Sequence, residues 1–193
     1  MCSKEEQDIL KKYATRETIE GKIVIELGSR DVNGSNKAFI QSLNPRSYTG
    51  IDVEAGPSVD MVLPVEHLFD RFQPESVDVV ITMAMIEHVE EWRRAIKNMK
   101  AVLKKDGLLL LETARPGFPY HGRTDLGFDD YWRFKKEDME RIFEDLEIIA
   151  IEEFIGGIPC DHCIFVAARK RTGIDLDKIE VTKIKKPDER KRS

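Results

Sequence analysis

The residues best suited to binding a ligand lie at the ends of two short apolar runs near the start of the chain. Glu26 and Gly28 end the first run, KIVIELG, and Asp52 ends the second, SYTGID. A glycine lets the backbone turn tightly and approach a ligand with no Cβ in the way. An aspartate at the end of a neighbouring strand can accept hydrogen bonds from both hydroxyls of a ribose. The two ends together therefore predict a site for a nucleoside.

A strand–helix–strand unit would bring these two ends side by side. A right-handed crossover returns the chain to the same edge of the sheet, so the carboxyl ends of two parallel strands become neighbours. Asn33-Gly34-Ser35 supplies a turn and a cap for the connecting helix, which carries apolar residues from Ala38 to Leu43. The segment 22–52 is therefore predicted to form such a unit.

The remaining sequence repeats the alternation of strands and helices. The runs VDMVL, VDVVIT and GLLLLET are typical of buried strands, and VEHLFDRF between the first two indicates a short helix. Further helices are predicted at 3–20, 91–105 and 135–146, and a final pair of antiparallel strands at 147–155 and 162–168. This order favours an α/β fold, with a doubly wound, mostly parallel, Rossmann-like seven-stranded sheet and an antiparallel edge strand.

The bulk composition fits one globular domain. The 193 residues are 41% hydrophobic and 35% charged, with a net charge of −5. No apolar stretch approaches the roughly 20 residues of a membrane helix, and the charged N-terminus lacks the apolar core of a secretory signal. These two features predict a cytoplasmic protein with no membrane partner. The three cysteines form no even framework, which predicts free thiols in a reducing compartment.

The end of the chain differs in composition from the rest. The run KIKKPDERKRS holds six basic side chains against two acidic ones. We therefore predict one domain at 1–170, including the leading helix, and a charged, flexible tail at 171–193. A solvated tail is favoured, and contact with RNA or an acidic partner stays open as the alternative.

The turn after the first strand separates two classes of nucleoside ligand. A dinucleotide site needs the pattern G-x-G-x-x-G, whose glycines let backbone amides approach a pyrophosphate. Here Arg30 stands where the second glycine would be. A bulky side chain there obstructs a pyrophosphate, so the loop favours a ligand without phosphate, such as S-adenosylmethionine (SAM).

The chain resembles the class I SAM-dependent methyltransferases of the small type-11 kind from Glu26 to about Lys170. The motifs that carry the resemblance occur in order: VIELGSRDVNGS, GIDVEAGPSVD, VDVVITMAMIEHV, LKKDGLLLLET and YHGRTDLGFDDYWRF. The first departs from the commoner D/E-x-G-x-G-x-G form, because Arg30 and Val32 replace two glycines. The resemblance implies that SAM is the cofactor and that the activity is methyl transfer.

The same resemblance implies a set of cofactor contacts. Glu26 and Gly28 would lie under the methionine end of SAM, and Ser29 is a further candidate cofactor contact. Asp52 would bind the ribose hydroxyls, and Val53 would pack on the adenine. The alternative for Asp52 is a turn or helix-cap acid.

Two further pairs of candidate cofactor contacts follow the third and fourth predicted strands. Many relatives have an acid that meets the adenine amino group, but the matching place here is near Leu63 and Pro64, so backbone groups would contact the adenine. Met83 and Ala84 correspond to the surface that relatives present to the methionine end. Core packing is the alternative for both.

Candidate catalytic residues cluster around the segment 114–134, which shows no periodicity. Loops this long in a compact domain tend to be functional. A base is needed only if the acceptor atom carries a proton, and the candidates are His88, His121 and Asp130. Tyr120, Tyr131 and Arg133 are candidate orienting groups. For Trp132 and Phe134, anchoring of this loop to the core is the favoured interpretation.

Two motifs contain metal-ligand residue types, but the sequence predicts no metal site. Some RNA 2′-O-methyltransferases and quinone O-methyltransferases have E-x-x-E-H where this chain has Glu87 and His88, and their acids and histidine hold a divalent ion. Ala84 replaces the first of those acids. The run PCDHC at 159–163 lacks the second ligand pair of a structural zinc site.

The predicted function is SAM-dependent methyl transfer to a small polar acceptor, which the sequence does not identify. The loop 114–134 and the leading helix are the predicted walls of the acceptor pocket. An NAD-type oxidoreductase and a non-catalytic interaction module with the same fold are the alternatives.

Overall fold

One seven-stranded sheet forms the centre of the described part of the chain. The computed structural model describes residues 4–157, 162–171 and 182–183. The strands are β1 (Ile23–Leu27), β2 (Ser47–Asp52), β3 (Met61–Val62), β4 (Val77–Met83), β5 (Leu103–Ala114), β6 (Trp132–Arg133), β7 (Leu146–Ile155), β8 (His162–Lys170) and β9 (Thr182–Lys183). The α-helices are α1 (Lys4–Tyr13), α2 (Arg16–Ile19), α3 (Lys37–Ser42), α4 (Trp92–Val102) and α5 (Lys136–Ile142). Short 3₁₀ helices occur at Val65–Asp70, Ile86–His88 and Thr124–Leu126.

The strand order confirms the predicted α/β, doubly wound, Rossmann-like sheet. The order is β3-β2-β1-β4-β5-β8-β7, with parallel pairing from β3 to β5. β8 pairs antiparallel with both β5 and β7. The antiparallel strand therefore lies one position in from the edge, because β8 inserts between β5 and β7.

Apolar side chains cover both faces of the sheet. On one face, Ile25 and Val80 belong to the same buried cluster as Trp92 and Met99 of α4. On the other face, Val24 and Ile81 belong to a cluster that includes Leu10 of α1 and Ile40 of α3. Successive residues of a strand point to opposite faces, so strands buried on both sides need continuous apolar runs. This explains why β1 and β4 lack polar alternation.

The helices are shorter than the predicted ones. The leading helix is divided at Thr15, whose hydroxyl accepts a hydrogen bond from the Thr18 amide and begins α2. At the end of α4, Leu103 takes up extended backbone and begins β5. The pairing of β5 with β4 therefore begins at Leu103, where the sequence had predicted the last turn of the helix. No helix in the described ranges is both long and apolar enough to cross a membrane.

The predicted loop after β5 contains a short strand. β6 pairs antiparallel with β9, which comes from the charged C-terminal segment. Most of that segment, together with Cys160 and the Ser3 cap of the leading helix, lies outside the described residues. The predicted flexibility of the tail therefore stays a prediction.

A cavity in the central strands should destabilise the fold strongly. Leu110 of β5 is 0% exposed, and we expect Leu110→Ala to lower the free energy of unfolding by about 3 kcal/mol. Ile149 of β7 is 45% exposed, so Ile149→Ala should change it by less than about 0.5 kcal/mol. Urea unfolding monitored by circular dichroism measures both, and equal losses would contradict the assignment of the core.

Candidate functional site

A cavity of about 1040 Å³ opens where β1, β2 and β4 end. Ligands of open α/β sheets bind beyond the carboxyl ends of the strands, where the strand order changes direction. Both the loops that follow these strands and the loop 120–131 contribute to its lining. Among the predicted cofactor residues, the cavity is lined by Gly28, Asp52, Val53, Leu63, Pro64 and Met83.

Gly28 forms the tight turn at the end of β1. Its φ angle is +75°, which L side chains rarely adopt, and a Cβ there would lie 2.7 Å from the Met85 side chain. The amides of Gly28 and Ser29 both donate to the carbonyl oxygen of Ile51, at 2.9 and 3.0 Å. The turn therefore joins the end of β1 directly to the end of β2. A glycine is required at position 28 because both the positive φ angle and the short distance to Met85 exclude a side chain.

Two backbone amides orient the carboxylate of Asp52. Oδ2 accepts from the amide of Arg30 at 3.1 Å, and Oδ1 accepts from the amide of Glu54 at 3.1 Å. A carboxylate has about four lone-pair sites, so each oxygen can accept a further hydrogen bond. Val53, next to this carboxylate, is an apolar side chain that is 53% exposed. The end of β2 thus presents an oriented acceptor beside an open apolar surface.

Glu26 and Ser29 are not among the residues that line the cavity. Glu26 is 4% exposed and accepts hydrogen bonds from Asn36 Nδ2 at 3.1 Å and from the Tyr48 hydroxyl at 2.5 Å. Burial raises the pKa of Glu26 despite these two hydrogen bonds. Ser29 is also buried, and its Oγ has no hydrogen-bond partner in the described structure. Both lie within the packing around β1.

The backbone at Ala84 is strained. Its φ angle is +49°, in the left-handed region that a residue with a Cβ adopts only at an energetic cost. Ala84 follows β4 and lines the cavity with Met83 and Met85, and its amide donates to the carbonyl oxygen of Glu112 at 3.2 Å. The sequence contains no signal for this conformation, because an alanine is not a typical left-handed residue.

Arg30 connects the β1 turn to the loop 114–134. Its Nη2 donates to the carbonyl oxygen of Leu126 at 2.6 Å. Its aliphatic part lies against Gly56, where a Cβ would come within 2.9 Å of Arg30 Cγ and Cδ. The side chain that replaces a glycine of the dinucleotide pattern therefore holds the loop over the cavity. This contact was not predicted from the sequence.

A buried ion pair orients His121. Arg133 donates to both oxygens of Asp130, at 2.5 and 2.7 Å, and Asp130 Oδ2 lies 2.9 Å from His121 Nδ1. Burial alone would raise the pKa of Asp130, but the hydrogen bonds from Arg133 and His121 hold it well below its usual range. Burial lowers the pKa of His121, but the hydrogen bond to Asp130 and the charge of Glu87 raise it above the ordinary value.

His88 and Glu87 complete this cluster. His88 Nδ1 lies 2.5 Å from the carbonyl oxygen of Asp129, and its ring meets the His121 ring edge-on at 4.8 Å. Burial lowers the pKa of His88. Glu87 is 1% exposed; its Oε2 accepts from the Thr113 hydroxyl at 2.8 Å, and its Oε1 lies 3.8 Å from His121 Nε2. Both histidines line the cavity, whereas Asp130 and Glu87 do not.

The three candidate catalytic residues therefore lie together, as the sequence suggested for the loop and the end of β4. Their catalytic role stays a prediction. The sequence did not indicate that Glu87 and His121 approach each other, because they are separated by β5 and by a loop without periodicity. The 3₁₀ helix Ile86–His88 and the pairing of Glu87 with Thr113 bring them together.

Aromatic residues attach the end of the loop to α4. The indole N–H of Trp132 donates to the carbonyl oxygen of Val89 at 2.9 Å. Phe134 is 1% exposed, and its ring packs edge-on against Trp92, with centroids 5.4 Å apart. Both contacts agree with the anchoring interpretation of Trp132 and Phe134. They fix the position of Asp130 and Arg133 relative to the sheet.

Comparison with known proteins finds a matching family model and solved structures of the same fold. Residues 34–111 match the family model described as a methyltransferase domain. A SAM-dependent methyltransferase from Mesorhizobium loti is 14% identical, with a TM-score of 0.61 and coverage of 79% of this chain and 93% of that chain. A search of curated proteins found no match.

Two further structures have the same fold with a ligand in place. The N-methyltransferase NodS from Bradyrhizobium japonicum, solved with S-adenosylhomocysteine (SAH), is 16% identical, with a TM-score of 0.61 and coverage of 87% of this chain and 88% of that chain. A 1,6-didemethyltoxoflavin-N1-methyltransferase from Burkholderia thailandensis was solved with 1,6-didemethyltoxoflavin and SAH. It is 14% identical, with a TM-score of 0.63 and coverage of 88% of this chain and 84% of that chain.

The described structure has the fold of solved SAM-dependent methyltransferases, and residues 34–111, less than half of the chain, match the methyltransferase domain model. These findings support SAM as the methyl donor, as the resemblance implied. The oxidoreductase alternative is not favoured.

Removing the charge of Asp130 should destabilise the protein. Arg133 is 2% exposed, so Asp130→Asn leaves a buried guanidinium without its counter-ion. We expect a loss of about 3 kcal/mol in the free energy of unfolding. We also expect a lower pKa of His121 in an NMR pH titration, because the hydrogen bond to residue 130, which raises this pKa in the wild type, is weakened.

The matched control is Asp125→Asn. Asp125 forms an ion pair with Arg123 in the same loop, but both side chains are exposed. The stability of this variant should equal that of the wild type in urea unfolding. A similar loss in both variants would show that the burial of the Arg133–Asp130 pair is not what stabilises the loop.

Proposed function

We propose that the protein transfers the methyl group of SAM to a small polar acceptor that binds beside His88 and His121. The observation that carries this proposal is the shared cavity: Asp52 and Val53 line the same space as His88 and His121. Cofactor and acceptor can therefore be held in contact, which is what a direct displacement requires of the protein.

The residues at the strand ends fit the cofactor. Asp52 would accept hydrogen bonds from the ribose hydroxyls, since two backbone amides already fix its carboxylate. Val53, Leu63 and Pro64 would pack around the adenine. Gly28 would leave room for the methionine end, beside Met83.

Glu26 and Ser29 would act on the cofactor indirectly. The hydrogen bonds of Glu26 to Asn36 and Tyr48 join the end of β1 to α3 and β2. They would thereby hold the turn at Gly28 in position. Direct contact with SAM is not supported for either residue, because neither lines the cavity.

The acceptor would meet the two histidines. When bound, SAM supplies an electrophilic methyl group: the acceptor atom forms the new bond to carbon, and the C–S bond breaks with its electron pair left on sulfur. A hydroxyl acceptor also loses a proton. Asp130 accepts from His121 Nδ1–H, so Nε2 of that ring carries the lone pair that can take the proton.

Titration calorimetry with SAM and SAH tests the cofactor site. We expect wild-type protein to bind both, and Asp52→Ala to bind at least tenfold more weakly, a loss of about 1.4 kcal/mol from missing hydrogen bonds to an ionised acceptor. Asp70→Ala is the matched control, because Asp70 is exposed and lies outside the cavity lining.

Three results separate the possible failures. No heat with wild type at millimolar ligand would contradict the enzyme and favour a non-catalytic interaction module. Unchanged affinity in Asp52→Ala would remove Asp52 from the site. Equal weakening in Asp70→Ala would mean that the loss is not local to the end of β2.

A further inference from the structure

We propose that Glu87, His88 and His121 bind one divalent metal ion, and that a hydroxyl group of the acceptor coordinates this ion. The inference rests on the proposed function, because it names the chemical class of acceptor that the same cavity would take. It reverses the prediction from the sequence, in which the missing acid at Ala84 argued against a metal.

The three residues are close enough to share an ion. Each offers one ligand atom, and these atoms all lie within 4.8 Å of one another. His121 Nε2 and Glu87 Oε1 are 3.8 Å apart. Ligand atoms at the usual distances of 2.0–2.2 Å from an ion lie roughly 3–4 Å from one another. The most widely separated ligand atoms would therefore need to approach each other by roughly 1–2 Å.

Each proposed ligand residue has a polar partner on the side that faces away from the proposed ion. His88 uses Nδ1 toward the carbonyl oxygen of Asp129, and His121 uses Nδ1 toward Asp130. Glu87 uses Oε2 to accept from Thr113. Ligating histidines in metal sites almost always donate their other ring N–H to a carbonyl or carboxylate, and ligating carboxylates are also hydrogen-bonded. The second ring nitrogen of each histidine and Oε1 of Glu87 are then the atoms that would bind the ion.

The supporting groups are themselves rigid. Asp130 is 1% exposed and bound on both oxygens by Arg133, and Thr113 is 0% exposed. The Nδ1 edge of the His121 ring is therefore held in place by the buried Arg133–Asp130 ion pair. Glu87 brings a carboxylate into a buried position where a cation would compensate it.

Two imidazoles and one carboxylate suit a transition-metal ion such as Zn²⁺, Mn²⁺, Fe²⁺ or Co²⁺. Three protein ligands leave at least one coordination position free, as in catalytic metal sites. Both histidines line the cavity, so that position is accessible to the acceptor. With the ion bound, His121 Nε2 is a ligand and no longer the base. The ion instead lowers the pKa of the coordinated hydroxyl, whose proton leaves to solvent while its oxygen forms the new bond to the methyl carbon. The acceptor class is thus a hydroxylated small molecule.

Metal titration of the full chain tests this site. Protein treated with a chelator and then freed of it is titrated with Mn²⁺, Co²⁺ and Zn²⁺ chlorides in turn by calorimetry. We expect one ion to bind per chain, and at least tenfold weaker binding in both His121→Ala and Glu87→Gln. His67→Ala is the matched control and should bind as the wild type does, because His67 is an exposed histidine outside the cavity lining.

SAH titration of the same samples separates this proposal from the proposed function. Glu87→Gln keeps the size of the side chain and an acceptor for Thr113, and unchanged SAH affinity shows that each variant is folded. Absent metal binding with normal SAH binding would overturn the metal site alone. Metal binding that persists in both variants, or falls equally in His67→Ala, would also overturn it. Absent SAH binding by the wild type would instead contradict the proposed function.

Discussion

The joint between the ends of β1 and β2 is the constraint on which the site depends. The amides of Gly28 and Ser29 both donate to the carbonyl oxygen of Ile51, so the two strands end at the same level. The carboxylate of Asp52 then receives the amides of Arg30 and Glu54 from the two loops. A polar group with both oxygens already positioned needs little reorganisation when a ligand binds. A side chain at position 28 would disrupt this joint through its contact with Met85.

The part of the cavity around His121, where the acceptor is proposed to bind, depends on a different kind of interaction. This is a buried ion pair inside a long loop. Arg133 and Asp130 are both almost fully buried, and the pair fixes the His121 ring near Glu87. A buried ion pair is weak evidence for stability, but it specifies geometry when its hydrogen bonds are satisfied. The loop is attached through Leu126 to Arg30 of the β1 turn and through Trp132 to Val89. The residues proposed to bind the cofactor and those proposed to meet the acceptor are therefore parts of one connected structure.

The sequence was sufficient for the order of the strands along the chain and for the sheet class. Apolar runs such as those of β1 and β4 indicate strands covered on both faces, and their alternation with helices implies parallel pairing. Most predicted cofactor positions line the cavity because strand ends can be located from turn residues such as Gly28. Glu26 and Ser29 do not, since a position within a motif does not reveal which way a side chain faces. The short pairing of β6 with β9 was not predicted, because two-residue strands have no periodicity.

By itself, the sequence determined the fold class, because the alternation of strands and helices follows from local patterns of residue type, and local motifs likewise led to the predictions of SAM as methyl donor and of the end of β2 as the ribose position. Only the tertiary structure decided how the part of the cavity around His121 is built. The approach of His121 to Glu87 and the contact of Arg30 with Leu126 join residues that are distant along the chain. Such contacts are produced by the packing of a loop over the sheet edge, and no local propensity encodes them.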